Sequence, residues 1–310
     1  MGSPPGEPYD YVAVGHVTRD VIEDRAGGAV SQAGGGAFYS GLQAARLGLR
    51  TLIVTQGVPD EIHALLEPFG EQLDWRVIPA EHTTTLSTCG SGAQRSQRLL
   101  AWAGPIVEPL TLDTRILHLA PVARETPATW HGRVSFVGLT PQGLVRRWES
   151  GEEKSLVQLD AGSLLGDVPL ATGAHELLFG DISPVDLDPQ TLPERFNAAV
   201  ISEDECESCH VLFAVARRGG AYVAVTAGSR PATVHLPTPA AGSVLQTEVP
   251  RLVEARDDLG AGDVFAAAFF VALHEGRSPL EAAAFGNTAA ALRIADVGPD
   301  AIATRAAITP

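Results

Sequence analysis

The residues with the clearest capacity for chemistry are Gly260-Ala261-Gly262-Asp263, which lead directly into the apolar run 264–273. The long apolar run predicts a buried helix, so the glycine turn precedes the helix and Asp263 lies in its first turn. Free backbone N–H groups and the positive end of the helix dipole create an anion site there. A carboxylate beside such a site suits phosphoryl transfer, because it can accept the proton of a hydroxyl group. A glycine turn that merely caps a helix is the alternative, and these residues alone do not decide between the two.

Length and charge restrict the classes of protein that this chain can represent. Its 310 residues suit one large α/β domain or two small ones, and they are enough for a sizeable core. The net charge of −15 argues against nucleic acid and anionic membranes as partners, since phosphate-rich surfaces require a basic patch. Lys154 is the single lysine, which excludes a Walker-type loop with Gly-Lys-Ser/Thr. Any phosphate must therefore be held by backbone amides, arginines and a metal ion.

The N-terminal residues and the cysteines bear on the cellular compartment. Residues 1–8 have neither a basic segment nor an apolar core, which predicts a flexible tail rather than a signal peptide. The apolar run 264–273 is too short to span a bilayer. Cys89, Cys206 and Cys209 form an odd set, which argues against a disulfide framework. We expect a cytoplasmic protein.

Alternating strand-like and helix-like segments predict an α/β fold in which a doubly wound sheet carries helices on both faces. Residues 9–310 are expected to form this single domain. Asp20 follows the strand that ends at Gly15, and we expect it just beyond the carboxyl end of that strand, where such sheets bind ligands. A plain turn residue is the alternative, and it is favoured when Asp20 is considered alone. The buried strands predicted further along the chain are residues 116–119, 135–139, 156–159, 177–179 and 221–226.

A second, smaller sheet is predicted where the α/β rhythm is interrupted. Residues 75–78, 83–88 and 97–102 read as strands without helices between them. Together with residues 17–31 they predict a lid over the ligand site, with strands from about 17–31 and 75–102. The exposed edges of such a lid make a homodimer through the lid a candidate assembly.

Gly34, Gly35 and Gly36 precede a segment with helical spacing that ends at Gly48. Glycines at the start of a helix let the backbone approach a polar ligand closely. A flexible loop is the alternative, and the direct transition into a helix disfavours it.

Taken together, these residues resemble the ribokinase-like (PfkB) carbohydrate kinase family. Three features carry the resemblance, in the family's order: Gly15 with Asp20, the Gly34-Gly35 pair before a helix that ends in Ala-Arg-Leu-Gly, and Asp-x-x-Gly-Ala-Gly-Asp at 257–263. The resemblance covers roughly residues 9–300 and implies a ribokinase-like fold. A finer pattern resembles the branch that contains archaeal myo-inositol kinases. It comprises Gly15-His16, the residues 34–40, the threonines 83–85, Pro-Val-Ala-Arg-Glu at 121–125, and Gln142-Gly143 with Arg146.

The resemblance implies a role for each matching position. Asp263 would be the catalytic base, and the amides of Gly260, Ala261 and Gly262 the anion hole. For Arg124, contact with phosphate or substrate and a surface ion pair with Glu125 or a neighbour are equal alternatives. The substrate-binding candidates are Asp20, Gly34, Gly35, Tyr39, Thr85, Arg124 and Gln142. The cofactor-binding candidates are Thr226, Gly228, Asp257, Gly260, Gly262 and Asn287.

Three positions depart from the family pattern. Asp258 stands where the family has threonine, and a carboxylate there would repel donor phosphates unless it points away or meets a cation. The family's Asn/Asp-x-x-Glu motif has its nearest match at Asp181, with Pro184 in place of the glutamate, so Asp181 is the candidate metal ligand. Tyr39 replaces an asparagine, which should reshape the sugar pocket.

The sequence therefore predicts an ATP-dependent kinase that phosphorylates a hydroxyl of a cyclitol or sugar, with myo-inositol the first candidate. ATP and Mg²⁺ are the expected cofactors, and a monovalent cation is a further candidate. A nucleoside or other sugar kinase of the same fold is one alternative. A ligand-binding pseudokinase is another, which the Asp258 and Pro184 departures motivate.

Overall fold

The computed structural model describes residues 8–23, 29–90, 95–148, 180–237, 244–248 and 253–309. The expected strands 156–159 and 177–179, and all but the last residue of the expected tail 1–8, lie outside these ranges. The strands are β1 (Tyr9–Val14), β2 (Thr18–Glu23), β3 (Ala29–Gly34), β4 (Thr51–Gly57), β5 (Asp74–Pro79), β6 (Thr85–Cys89), β7 (Ser96–Ala101), β8 (Thr114–Leu119), β9 (Val134–Leu139), β10 (Arg146–Arg147), β11 (Ser183–Pro184), β12 (Ala198–Ser202), β13 (Tyr222–Ala227), β14 (Arg230–His235) and β15 (Val244–Gln246). The helices are α1 (Gly36–Arg46), α2 (Pro59–Leu66), α3 (His210–Gly219), α4 (Ala261–His274), α5 (Pro279–Ile294) and α6 (Arg305–Ile308).

A nine-stranded sheet forms the centre of the molecule, in the order β15-β14-β13-β12-β9-β8-β1-β4-β5. Its strands from β13 to β5 pair in parallel, while β14 and β15 add an antiparallel edge. One apolar cluster packs α1, α4 and α5 against one face, and a second packs α3 against the other. The predicted doubly wound α/β fold is therefore confirmed.

The helix that follows the glycine turn is almost entirely buried. Residues 264–272 of α4 are all inaccessible, and α4 packs between α1 and α5. An unbroken apolar run produces this arrangement, because neighbouring helices and the sheet cover the helix on most sides. The start of α4 is thereby fixed in place by the core.

The small sheet has the order β3-β2-β6-β7. The predicted lid is present, but residues 75–78 do not belong to it. They form β5 at the edge of the central sheet, because α2 provides the crossover that a parallel pairing with β4 requires. Asp20 also lies within lid strand β2 rather than at the end of β1. None of the described helices has the length and apolarity that crossing a bilayer requires.

Candidate active site

The start of α4 adopts a conformation that only glycine supports readily. Gly260 has φ 71° and precedes the first helical residue. A Cβ at this position would lie 2.2 Å from Cγ of Tyr39, so the tyrosine ring occupies that space. The N–H of Ala261 donates to the carbonyl of Asp258 at 3.3 Å. The amides of Gly262 and Asp263 come before the first amide that has an acceptor within the helix. The anion-binding capacity therefore lies mainly at Gly262 and Asp263.

Asp263 extends from the first turn of α4 towards the first turn of α1. Its Oδ1 would be 3.0 Å from a Cβ built on Gly36, so a side chain at Gly36 would crowd this carboxylate. Burial raises the pKa of Asp263 to about 7, the nearby charge of Arg146 opposes the rise, and Glu205 and Asp20 add to it. A carboxylate that titrates near neutral pH is well suited to accept a proton from a hydroxyl group.

Asp20 lies on the other side of the same glycine turn. The Oγ1 of Thr18 donates to its Oδ1 at 2.6 Å, and a Cβ on Gly34 would lie 2.0 Å from its Oδ2. Burial raises the pKa of Asp20 to about 6, against the hydrogen bond from Thr18 and the charges of Arg146 and Arg95. The turn of Gly34 to Gly36 thus brings two carboxylates with raised pKa values to one site.

Arg146 supplies positive charge to both of these carboxylates. Its Nη1 donates to the carbonyl of Val122 at 3.0 Å, and its Nη2 donates to Oε1 of Gln97 at 2.8 Å. Burial lowers the pKa of Arg146, while the carboxylates around it oppose that change. The sequence singled out Arg146 only as part of a motif, and the structure shows the electrostatic reason for its presence.

Asp258, the residue that departs from the family pattern, meets a cation. It forms an ion pair with Arg95, which leads into lid strand β7. Burial raises the pKa of Asp20, and the charge of the same arginine partly opposes that rise. The pair therefore connects the lid, the loop 257–260 that leads into α4 (the anion loop) and the buried carboxylate of Asp20 on β2.

Asp257 is directed into the protein rather than towards a ligand. Its carboxylate accepts hydrogen bonds from the N–H groups of Leu259 and Gly298, each at 3.0 Å, and from Arg293 at 2.7 Å. Burial disfavours its ionisation, but these hydrogen bonds outweigh burial and lower the pKa of Asp257. This geometry gives Asp257 a structural task beside its predicted place among the cofactor-binding residues.

The other cofactor-binding candidates lie around the antiparallel edge of the sheet. Thr226 is near the end of β13, and Gly228, with φ 60°, lies in the turn that leads to β14. Asn287 projects from α5 and donates to Oγ1 of Thr247 at 3.2 Å. Its amide is therefore engaged with the segment that follows β15.

The remaining substrate candidates differ in exposure. Thr85 is buried at the start of β6, and its hydroxyl donates to the carbonyl of Thr83. Gln142 is exposed in the 3₁₀ turn Pro141–Val145. Arg124 is exposed with φ 62°. Arg124 lines a cavity of about 370 Å³ together with Trp102, Arg147 and Trp148.

The alternative role for Arg124 was an ion pair with Glu125. The Glu125 side chain is instead buried and accepts the backbone N–H groups of His16, Val122 and Ala123 at 2.7 to 3.1 Å. Among the described ion pairs, none joins Arg124 to Glu125. The contact of Arg124 with phosphate or substrate stays a prediction.

Asp181, the candidate metal ligand, is a different residue from Glu205, the carboxylate whose charge acts on Asp263. Asp181 is exposed and pairs with Nε of Arg98 on β7 at 3.4 Å. Glu205 follows β12, accepts the N–H of Ser202 at 2.7 Å, and its charge contributes to the raised pKa of Asp263. Sequence reasoning missed Glu205, although Ser202-x-x-Glu205 has both the spacing of the family motif and that of a capping box. Within the described ranges, no cluster of three or more metal-ligating side chains occurs.

The C-terminal part of the chain matches a known family model. Residues 194–305 match the family model described as pfkB family carbohydrate kinase. Among curated proteins, none matches the sequence.

Several solved structures are similar over nearly the whole chain. A pyrophosphate-dependent kinase in the ribokinase family, complexed with a pyrophosphate analog and myo-inositol, has a TM-score of 0.68 at 18% identity, over 93% of this chain and 96% of its own. A ribokinase from Arabidopsis thaliana, complexed with ribose and ATP, has a TM-score of 0.64 at 18% identity, over 97% and 98%. A nucleoside kinase from Methanocaldococcus jannaschii has a TM-score of 0.64 at 17% identity, over 98% of each chain. These similarities establish the fold.

Proposed function

We propose that this chain, which carries a PfkB carbohydrate kinase family domain on a ribokinase-like fold, phosphorylates a hydroxyl group of a cyclitol or sugar. The observation that carries the proposal is the pairing of Asp263 with Asp20 across the turn of Gly34 to Gly36. One carboxylate stands at an anion-binding helix start, and the other lies on the lid. This arrangement supports a site that holds an acceptor between the lid and the start of α4.

In the proposed mechanism, Asp20 accepts hydrogen bonds from two acceptor hydroxyls, because a carboxylate can bind neighbouring hydroxyls bidentately. Asp263 takes the proton of the attacking hydroxyl as its oxygen bonds to the terminal phosphorus of the donor, and the bond from that phosphorus to the bridging oxygen breaks to release ADP or, from pyrophosphate, phosphate. The open amides at Gly262 and Asp263, with Arg146, stabilise the charge of the phosphoryl group in transit. The lid excludes water, which would otherwise compete as acceptor.

A magnesium ion fits the acidic residues after β12. Mg²⁺ is usually held by one or two carboxylates, with phosphate oxygens and water completing its shell, so a cluster of protein ligands is not required. Glu205 and its neighbour Asp204 offer such carboxylates at the end of a parallel strand, whereas Glu203 is paired with Arg230. The ion would neutralise negative charge on the donor phosphates.

Myo-inositol is the first candidate acceptor, on the strength of the motifs at 34–40, 121–125 and 142–146. ATP is the first candidate donor. Pyrophosphate is the second, because a similar structure belongs to a pyrophosphate-dependent kinase.

The test is a donor-by-acceptor panel. Purified protein with Mg²⁺ is given ATP or pyrophosphate and, in turn, inositols, hexoses, ribose and nucleosides, and acceptor phosphate is measured directly by mass spectrometry. We expect phosphorylation of a cyclitol or sugar that disappears in Asp263→Asn. Preferential phosphorylation of nucleosides would support the nucleoside kinase alternative. Donor binding without transfer to any acceptor would refute the kinase and support a pseudokinase.

A further inference from the structure

Arg293 lies in the last turn of α5 and has no exposed surface. Its Nη1 donates to the carbonyl oxygens of Asp257 and Asp296, at 3.3 and 3.2 Å. Its Nη2 donates to Oδ2 of Asp257 at 2.7 Å. Three oxygens from two separate stretches of backbone therefore converge on one buried guanidinium.

Asp257 links the guanidinium of Arg293 to the anion loop. Its carboxylate also accepts the N–H of Leu259, the residue before Gly260, and the N–H of Gly298. The guanidinium thus connects the C-terminal end of α5 with the loop that leads into α4. A flexible loop would position the open amides of Gly262 and Asp263 that follow it poorly, whereas this loop is fixed by charge-assisted hydrogen bonds.

Tyr39 connects the same guanidinium to the opposite side of the loop. The Cζ of Arg293 lies 5.5 Å from the centre of the Tyr39 ring, within the range of a cation–π contact. That ring also fills the space beside Gly260 where a Cβ would stand. Arg293 therefore supports the loop through Asp257 from one side and through Tyr39 from the other.

We infer that Arg293 is a positioning residue, a built-in cation that fixes the anion loop 257–260 and makes its geometry independent of dissolved monovalent cations. Backbone carbonyls and a carboxylate are the ligands that a hard cation from solution would use. Here a guanidinium occupies them, and a planar fork is well matched to several oxygens at once. The role of Arg293 in fixing the loop does not depend on the proposed function, and only its effect on turnover rests on that function.

The inference is tested by the cation dependence of stability. Wild-type protein, Arg293→Ala and Arg277→Ala are unfolded thermally in KCl, NaCl and tetramethylammonium chloride at equal ionic strength, with and without low-millimolar guanidinium. Arg277 is a matched control, because it also lies over an aromatic ring and beside a carboxylate, at Phe285 and Glu275.

We expect the wild type to unfold at the same temperature in all three salts. Arg293→Ala should unfold at least about 5 °C lower. Potassium or guanidinium should recover part of that loss, and neither should affect Arg277→Ala. A wild type that requires potassium for stability or turnover would overturn the inference, as would an Arg293→Ala protein that unfolds like the wild type.

If Arg293→Ala does not fold, the kinetic constants of Arg293→Lys test the inference instead. It keeps the charge but loses the fork, so we expect a raised KM for the phosphate donor and a lowered kcat, with the acceptor KM unchanged. Wild-type values for all three would overturn the inference. If no acceptor is ever phosphorylated while the cation pattern of unfolding holds, the proposed function fails and the role of Arg293 stands.

Discussion

Replacing Asp263 with asparagine should make the protein more stable while it removes activity. The ordinary pKa of this carboxyl is 3.8, and burial in the folded protein raises it to about 7. The folded state therefore holds the proton more tightly than the unfolded chain does. Above pH 7 the carboxylate is ionised in both states, and ionising it in the folded state reduces the free energy of unfolding.

The magnitude follows from the size of the shift. One pKa unit corresponds to about 1.4 kcal/mol, so a shift of about 3 units limits the gain from Asp263→Asn to about 4 kcal/mol at pH 8. We expect about 2–4 kcal/mol there. At pH 5 the wild-type carboxyl is protonated in the folded state, and the gain falls below about 2 kcal/mol. Turnover should fall by about 10²–10⁴ at pH 8, because the proton acceptor is lost, and by less at pH 5, where the wild-type carboxyl is already protonated and cannot accept a proton.

Urea unfolding at pH 5 and pH 8 measures the first effect, and acceptor phosphorylation measures the second. The control is Glu71→Gln, which removes a charge from an exposed position and should change stability little at either pH. An Asp263→Asn protein no more stable than wild type at pH 8 would refute the electrostatic argument. Unchanged turnover would refute the role of Asp263 as base.

Three further changes test other parts of the site. Wild-type kcat/KM should fall as the pH drops below about 7. Arg146→Gln should move this acidic limb of the pH profile to higher pH by at least about half a unit, because it removes a charge that opposes the raised pKa of Asp263. An acidic limb that does not move would contradict this. Gly260→Ala should lower the free energy of unfolding, measured in urea, by more than about 2 kcal/mol, since the φ of Gly260 is positive and Tyr39 fills the space for a methyl group. A loss below about 0.5 kcal/mol would contradict the expected overlap of the methyl group with the Tyr39 ring. Asp258→Asn should raise the acceptor KM severalfold in initial-rate assays, because its partner Arg95 leads into the lid. The free energy of unfolding should change by less than about 1 kcal/mol. An unchanged acceptor KM would exclude a link between this ion pair and acceptor binding.

The elements with the strongest sequence pattern were predicted well. The apolar run after Asp263 could only be a buried helix, and the glycines before α1 marked its start. The lid was harder to delimit, because residues 75–78 look the same as any other short strand. Whether such a strand joins the lid or the central sheet depends on the crossover through α2, which places β5 beside β4.

The site was predictable where one residue type suffices and not where partners must meet. Asp20 and Asp263 are candidates from sequence because they stand, with the Gly34-Gly35 pair between them, in an order that resembles a known family, although neither is decisive alone. Arg146 and Glu205 act on Asp263 from β10 and from the end of β12, and only the tertiary structure brings these segments together. Asp258 seemed out of place in the sequence because its partner Arg95 is distant along the chain.

The connectivity of the lid has a consequence for how the chain folds. Its hairpins β2–β3 and β6–β7 are each local in sequence, whereas the parallel pairing of β2 with β6 joins segments separated by α1, β4, α2 and β5. Local contacts form quickly, and distant pairings wait until the intervening chain is ordered. We expect the carboxylate of Asp20 to reach its final surroundings late in refolding, after the central sheet. Mutations within the β2–β6 pair should then accelerate unfolding and leave the folding rate almost unchanged.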